Sequence, residues 1–176
     1  MRQFPWGHVT ALALWIAGFG VMYLYMDSFI KPKVATVSSV DAARGEVVIP
    51  RSRDGHYYVS GSINGQAVTF MVDTGASTVF VSADMAQRTG MPRGVPTRFK
   101  TAGGEIMGET VADQTIEAGG IRLAGLSVAV AMQMDAGGYA LLGQNFLRYV
   151  DVIQSGDQMV LRIKKASEPH EPKNGS

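Results

Sequence analysis

One segment of this chain has the residue types and spacing of a carboxylate site. Thr69-Phe70-Met71-Val72-Asp73-Thr74-Gly75-Ala76-Ser77-Thr78 carries a hydrophobic run to an acidic residue in a turn, and Val79-Phe80-Val81 leaves as a second hydrophobic run. An aspartate at the end of a buried strand is costly unless hydrogen bonds or a second, paired group compensate. Gly75 lets the backbone turn tightly beside the carboxylate, and the Thr74 hydroxyl can lock the loop. An ordinary Asx-type turn between two strands would use the same residues, so D-T-G taken alone leaves both readings open.

Other chemistries find less support. The 176 residues include no cysteine, which excludes a disulfide scaffold, a thiolate metal site and a cysteine nucleophile. Histidine occurs only at His8, His56 and His170, without HExxH or paired ligand spacing, so a metal site is not expected. No G-x-S-x-G is present, and Ser77 reads as a hydrogen-bonding loop residue rather than a nucleophile. Gly103-Gly104 lacks the G-K-[ST] ending of a phosphate loop, and Met132 and Met134 read as packing residues, so no cofactor is expected. Sixteen basic against fifteen acidic residues, with no Lys/Arg cluster, argue against nucleic acid as a partner.

The elements around Asp73 read mostly as strands. Val47-Val48-Ile49 is a short β-type run closed by Pro50. His56–Ile63 leads into Asn64-Gly65, the strongest two-residue hairpin signal, and Gln66–Val72 is the return strand that delivers Asp73. Thr78–Val81 follows. Ser82 is placed to cap a short helix that ends at Gly90 and Pro92. Hairpins are expected at Gly103-Gly104 and Gly119-Gly120, a buried strand over Leu126–Met132, a helical turn over Asn145–Tyr149 and a final strand over Met159–Ile163. The expected fold is all-β with one or two short helices.

The Met71–Ser77 pattern, hydrophobic–hydrophobic–Asp-Thr-Gly-Ala-Ser, resembles the retroviral-type (retropepsin-like) aspartic proteases. A second element stands where that family has one. Ala140-Leu141-Leu142-Gly143-Gln144-Asn145-Phe146-Leu147 is similar to its hydrophobic–hydrophobic–Gly segment, whose strand supports the active-site loop. The resemblance runs from about Tyr57 to Ile163. It implies a single-lobe acid-protease β-barrel, with Asp73 as the catalytic residue and Thr74, Gly75, Ala76 and Ser77 as the active-site loop. Leu141, Leu142 and Gly143 become the loop-supporting segment. Ala102, Gly103, Gly104 and Glu105 become the tip of a flap, a hairpin that closes over substrate. Two departures stand out. Ser77 and Thr78 occupy places where retroviral relatives often carry acidic residues that hold the substrate backbone. Gln144 and Asn145 lie where an arginine is frequent, so the dimer-stabilising ion pair of some relatives is not assumed here.

The resemblance also implies two chains. Aspartic proteolysis needs two carboxylates about one water, sharing a proton because close carboxylates do not both ionise cheaply. Asp113, Asp135, Asp151 and Asp157 all lack a following Thr/Ser-Gly, and no second D-T-G or D-S-G exists. The expected active form is therefore a homodimer with Asp73 from each subunit on a two-fold axis, acting as an endopeptidase on a peptide or protein. The rival expectation is a catalytically silent dimeric β module, tethered to a membrane, that binds peptides.

The mean hydropathy of +0.07 has a local source. No Asp, Glu, Lys or Arg lies between Arg2 and Asp27, and Val9–Met26 is almost wholly apolar. As a helix this stretch is long enough for a hydrocarbon core of about 30 Å. Trp6 at one end and Tyr23 and Tyr25 at the other suit the interfaces. A cleaved signal peptide would have a shorter apolar core and a small-x-small site, so an uncleaved anchor is favoured. Arg2 with the amino terminus nearly balances Lys31 and Lys33, so charge does not set orientation. The expected organisation is an anchor over 1–29, a stalk over 30–45, the protease domain over 46–165 and a disordered tail over 166–176. The resemblance is to membrane-anchored bacterial members of the family in particular. That implies an inner-membrane protein with its domain in the periplasm, where an envelope protein or the chain itself is the expected target.

Overall fold

A computed structural model of the chain describes residues 6–30, 40–41, 45–101, 103–132 and 138–164. Its internal contacts divide it into two units, 1–33 and 34–176. The first unit holds one helix, α1 (Trp6–Ile30), of 25 residues. Leu14, Trp15 and Ile16 follow one another and are all exposed, so apolar side chains cover the helix on every side rather than along one stripe. Side chains are described over 10–26, about 25 Å of helix at 1.5 Å per residue. Over those residues no helix is long and apolar enough to cross a membrane. The described residues thus do not by themselves make the transmembrane span read from the sequence.

The second unit runs β1 (Val40–Asp41), β2 (Glu46–Pro50), β3 (Tyr58–Ile63), β4 (Gln66–Val72), β5 (Val79–Ser82), α2 (Ala83–Arg88), β6 (Val95–Thr101) and β7 (Gly104–Ala118). It continues with β8 (Ile121–Ala131), β9 (Ala140–Leu142), α3 (Gln144–Leu147), β10 (Val150–Ser155) and β11 (Gln158–Ile163). Seven strands join in the order β3-β4-β9-β5-β8-β7-β6, and a further pairing of β3 with β7 closes six of them into a barrel. β6 stays outside the ring, bonded only to β7. The remaining strands form a four-stranded antiparallel sheet, β1-β2-β11-β10.

Strand alternation sorts the apolar residues between two faces. Val59, Ile63, Phe70, Val72, Val79, Val81, Val128 and Leu142 point into the main core, which Phe146, Val47 and Leu161 complete. Phe80, between Val79 and Val81, goes to the opposite face. There it forms a second apolar cluster with Ala129 and Ala131, against which Phe99, Ile106 and Leu141 pack half-exposed.

Most expected elements appear. Ser82 caps α2 by accepting the Met85 N–H at 3.2 Å. The hairpins turn where Gly103-Gly104 and Gly119-Gly120 stand. Three readings need correction. β8 begins at Ile121 rather than Leu126, because its outer half pairs with β7 beyond the buried part. The helical turn is 144–147 rather than 145–149. β10 was not expected at all. Only Val150 of its residues is buried, so it carries almost no alternation, and its pairing with β11 from Val150↔Ile163 to Ser155↔Gln158 defines it. The tail over 166–176 and most of the 30–45 stalk lie outside the described residues.

The Asn64-Gly65 turn does more than reverse the chain. Both residues have positive φ, 52° and 82°, which the tight hairpin between β3 and β4 requires. The Asn64 amide also donates to Gln114 Oε1 at 2.7 Å and to the Thr89 carbonyl at 3.2 Å, and accepts the Thr115 N–H at 3.1 Å. It ties the hairpin to an irregular stretch of β7 and to the end of α2. Asn64→Gly preserves the turn and removes all three bonds, leaving the buried Gln114 amide a donor short. We expect it to destabilise the domain by about 2 kcal/mol in urea unfolding, where a residue needed only for the turn would cost a few tenths.

Candidate active site

Asp73 stands at the open end of β4, half-buried, with Thr74, Gly75 and Ser77 exposed beyond it. Its Oδ1 accepts the Gly75 N–H at 2.9 Å and its carbonyl accepts the Ala76 N–H at 3.3 Å. This is an Asx turn, so the local geometry alone fits both readings of D-T-G. What a plain turn would not need is the strand threaded through it. β9 runs parallel to β4, with Val72 opposite Leu142, and antiparallel to β5 through Phe80 and Leu141. The two strands that enter and leave the loop are therefore both bonded to β9. The Asp73 N–H donates to the Leu142 carbonyl at 3.1 Å.

Gly143 passes through the centre of this arrangement. A Cβ on it would lie 2.1 Å from the Thr78 carbonyl oxygen and 2.9 Å from that of Ala76, both backbone atoms. Immediately beyond, the backbone N–H groups of Gln144 and Asn145 donate to the Ala76 and Ser77 carbonyls at 2.8 and 3.1 Å. Their side chains continue the pattern, Gln144 Nε2 donating to the Thr74 carbonyl at 2.8 Å. Asn145 is buried; its Oδ1 accepts the Val79 N–H at 2.9 Å and its Nδ2 donates to the Ser127 carbonyl at 2.7 Å. The sequence marked these two residues only as lacking an arginine. Their amides were a legible sign, since an amide offers donor and acceptor together where a loop leaves both unmet.

The β6–β7 hairpin, whose tip includes Gly103, Gly104 and Glu105, packs its shaft against the same region. Phe99 meets Phe80 edge-on with ring centroids 5.0 Å apart. At its root, buried Glu109 pairs with Arg93 at 2.6 Å and accepts the Gly94 N–H at 2.9 Å. Nearer the tip, Arg98 and Glu105 form an exposed ion pair at 3.2 Å, and the Thr101 hydroxyl donates to the Gly104 carbonyl at 2.8 Å. A clamped root and a lightly held, glycine-containing tip are what a lid requires. Ala102 falls outside the described residues, as do Met134 and Asp135. The structure thus gathers Asp73–Ser77 and Leu141–Gly143 into one loop-and-strand unit, while the hairpin is linked to it through Phe80.

Residues 59–149 match the family model described as "gag-polyprotein putative aspartyl protease". The chain belongs to that aspartyl protease family. The crystal structure of a retropepsin-like aspartic protease from Rickettsia conorii is similar, at 29% identity and a TM-score of 0.56 over 66% of this chain and 98% of that one. Two curated proteins also match. "Uncharacterized protein RP867" of Rickettsia prowazekii (strain Madrid E) is 46% identical over 46 residues, 26% of this chain and 20% of that protein. "Uncharacterized protein in cobV 5'region" of Sinorhizobium sp. is 29% identical over 153 residues, 84% of this chain and 63% of that protein. The chain thus spans less than two thirds of either curated relative.

Ionisable residues also gather at the start of β3. The Tyr58 hydroxyl donates to Asp54 Oδ2 at 2.7 Å, and its ring meets Tyr139 edge-on at 5.2 Å. Burial first, and then the bonds with Asp54 and Tyr139, push the Tyr58 phenol well above the ordinary tyrosine range. Burial also pushes the Asp54 carboxyl up, but the bonds from Tyr58 and the His56 amide, with the charge of His56 and a bond from Ser52, outweigh it and leave the carboxyl below its ordinary value. Among the described residues no three His, Asp or Glu side chains come together to hold a metal ion.

The loop geometry makes one substitution decisive. Gly143→Ala places a methyl group against the Thr78 and Ala76 carbonyls, which belong to the loop itself. Relief requires β5 or the Asp73 loop to move. We expect about 2–3 kcal/mol of destabilisation by denaturant titration.

Proposed function

We propose that this protein is a membrane-anchored aspartic endopeptidase, active as a homodimer in which the two Asp73 carboxylates share one water. The observation that carries the reading is the Asp73 loop threaded by β9 within a matched aspartyl protease domain. Oδ1 of Asp73 is engaged by the Gly75 N–H, which leaves Oδ2 to face the water. One ionised carboxylate takes a proton as the water attacks the scissile carbonyl. The other, protonated, hydrogen-bonds the carbonyl oxygen; a proton then passes to the amide nitrogen as the tetrahedral intermediate collapses, so that the C–N bond breaks to release a carboxylic acid and an amine. Proximity of like charges lets the pair hold one proton over a range of pH, and the titration belongs to the pair.

The substrate is a peptide lying between the loop and the β6–β7 hairpin. Half-exposed Leu141, Ile106 and Phe99 around Phe80 supply an apolar wall, which favours apolar side chains beside the scissile bond. The Thr78 hydroxyl is committed to the Ser127 carbonyl at 2.9 Å, so the exposed Ser77 is the loop hydroxyl that can meet the substrate backbone.

Several features support the dimer. An open groove of about 760 Å³ runs from Thr74 and Gln144 along Asp151 and Ile153. It borders β10, the last strand of its sheet, whose outer edge has no strand partner among the described residues. Ile153 is exposed there at 42%, and Tyr149, just before β10, at 47%. An unpaired edge beside the Asp73 loop suits isologous pairing with a second copy. The anchor is motivated by the sequence, where no Asp, Glu, Lys or Arg lies between Arg2 and Asp27. Tethering two copies in one membrane raises their effective concentration without any new contact. A periplasmic domain acting on envelope proteins fits this placement.

The test is cleavage of denatured casein by the purified full chain between pH 4 and 7. Asp73→Asn should abolish cleavage, and specific activity should fall on dilution as dimers dissociate. Peptide binding without cleavage, unchanged in Asp73→Asn, would contradict the enzyme. Equal specific activity at all dilutions would contradict the dimer.

A further inference from the structure

Gln144 and Asn145 form a two-armed amide clamp on the Asp73 loop, and nothing in the carboxylate chemistry accounts for it. Between them they meet the chain at five points, from Thr74 to Val79 and across to Ser127. The Asp73 loop has few internal bonds of its own: the Gly75 and Ala76 N–H groups to Asp73. Its outward carbonyls, those of Thr74, Ala76 and Ser77, are all received by 144–145. The clamp therefore sets where the loop, and Asp73 with it, stands relative to β9.

Building on the aspartic protease reading, we propose that Gln144 and Asn145 are positioning residues that fix the Asp73 carboxylate in the alignment a paired site needs. Position 144 calls for a donor and position 145 for a donor and an acceptor together, and an amide supplies what each contact needs. Gln144 is exposed and gives the loop a donor at the Thr74 carbonyl, at the surface where the second copy would approach. Asn145 is buried and serves a donor, the Val79 N–H, and an acceptor, the Ser127 carbonyl, at once. A carboxylate at 145 could accept from Val79 but would face the Ser127 carbonyl with an unshared pair. A protonated carboxyl could again do both. Burial raises the pKa of such a carboxyl, so an Asp at 145 would regain the neutral form in mild acid.

Two variants of the full chain separate positioning from mere stability. Gln144→Met keeps length and removes the donor at an exposed site. Asn145→Asp keeps shape and makes the clamp pH-dependent. The first readout is amide hydrogen exchange by mass spectrometry, which does not depend on activity. In Gln144→Met, exchange over 73–79 should rise about tenfold while 150–163 is unchanged. The second readout uses a quenched fluorescent peptide copied from a site the wild type cuts in casein. Gln144→Met should lower kcat by about tenfold to a hundredfold with KM within about twofold. The activity of Asn145→Asp relative to wild type should be lowest near pH 7 and recover toward pH 4. Unchanged loop exchange in Gln144→Met, exchange rising equally over the whole domain, or an Asn145→Asp deficit independent of pH would each overturn the proposal. If the wild type cleaves nothing, the protease reading fails by itself, and loop exchange still decides whether the clamp exists.

Discussion

The site depends on a contact with no spare room: the backbone of Gly143 lying against the Thr78 and Ala76 carbonyls. A side chain there would lie 2.1 Å from a backbone oxygen, closer than any rotamer change relieves. Because only hydrogen fits, β9 can pass between β4 and β5 and bond to both. Because β9 passes there, the Asp73 N–H meets Leu142, and the amides of 144 and 145 meet the loop carbonyls beyond it. A loop that would otherwise be a surface turn becomes part of a packed sheet. That rigidity matters for chemistry, since a carboxylate that shares a proton must hold its distance from its partner within a fraction of an ångström. The apolar residues around Phe146 and Leu142 then bury what the threading brings inside.

Much of this is legible in the sequence, for identifiable reasons. Asp73, its glycine and the hydrophobic runs on either side stand in one short segment, and local turn chemistry is what sequence states best. Asn64-Gly65 and Ser82 behaved as their types require, because a turn and a helix cap involve neighbours in the chain. The β9 strand was found through likeness to a family rather than through periodicity, since three residues carry none. β10 escaped notice because its residues are mostly half-exposed, though Gly156 (φ 56°) and Asp157 were turn residues before the strand that pairs with it. The roles of Gln144, Asn145 and the Asn64 amide depend on partners far along the chain, such as Ser127 and Gln114. No spacing rule reaches that far.

The same contrast between local and distant contacts divides the domain by stiffness. The Asp73 loop is bound from both sides, while the hairpin opposite is fixed at its Glu109 root and held near its tip by an exposed ion pair and one hydroxyl. Exposed pairs of that kind contribute little, so the tip is held less firmly than the root. The apolar cluster under it, Phe80 with Phe99, Ile106 and Leu141, is where closing and substrate burial would be coupled. The chain thus presents a doubly bonded Asp73 loop, a neighbouring hairpin and, among the described residues, a strand edge on β10 without a partner, but only one D-T-G aspartate.

The central claim is that one active site needs Asp73 from two copies. It is tested most directly by mixing wild-type chain with Asp73→Asn chain at fixed total concentration, under conditions where subunits exchange, and measuring casein cleavage against the wild-type fraction. If both carboxylates are required, mixed dimers are inactive and activity follows the square of that fraction, about a quarter of full activity in an equal mixture. Activity strictly proportional to the wild-type fraction would mean that a single Asp73 suffices, and would contradict the account.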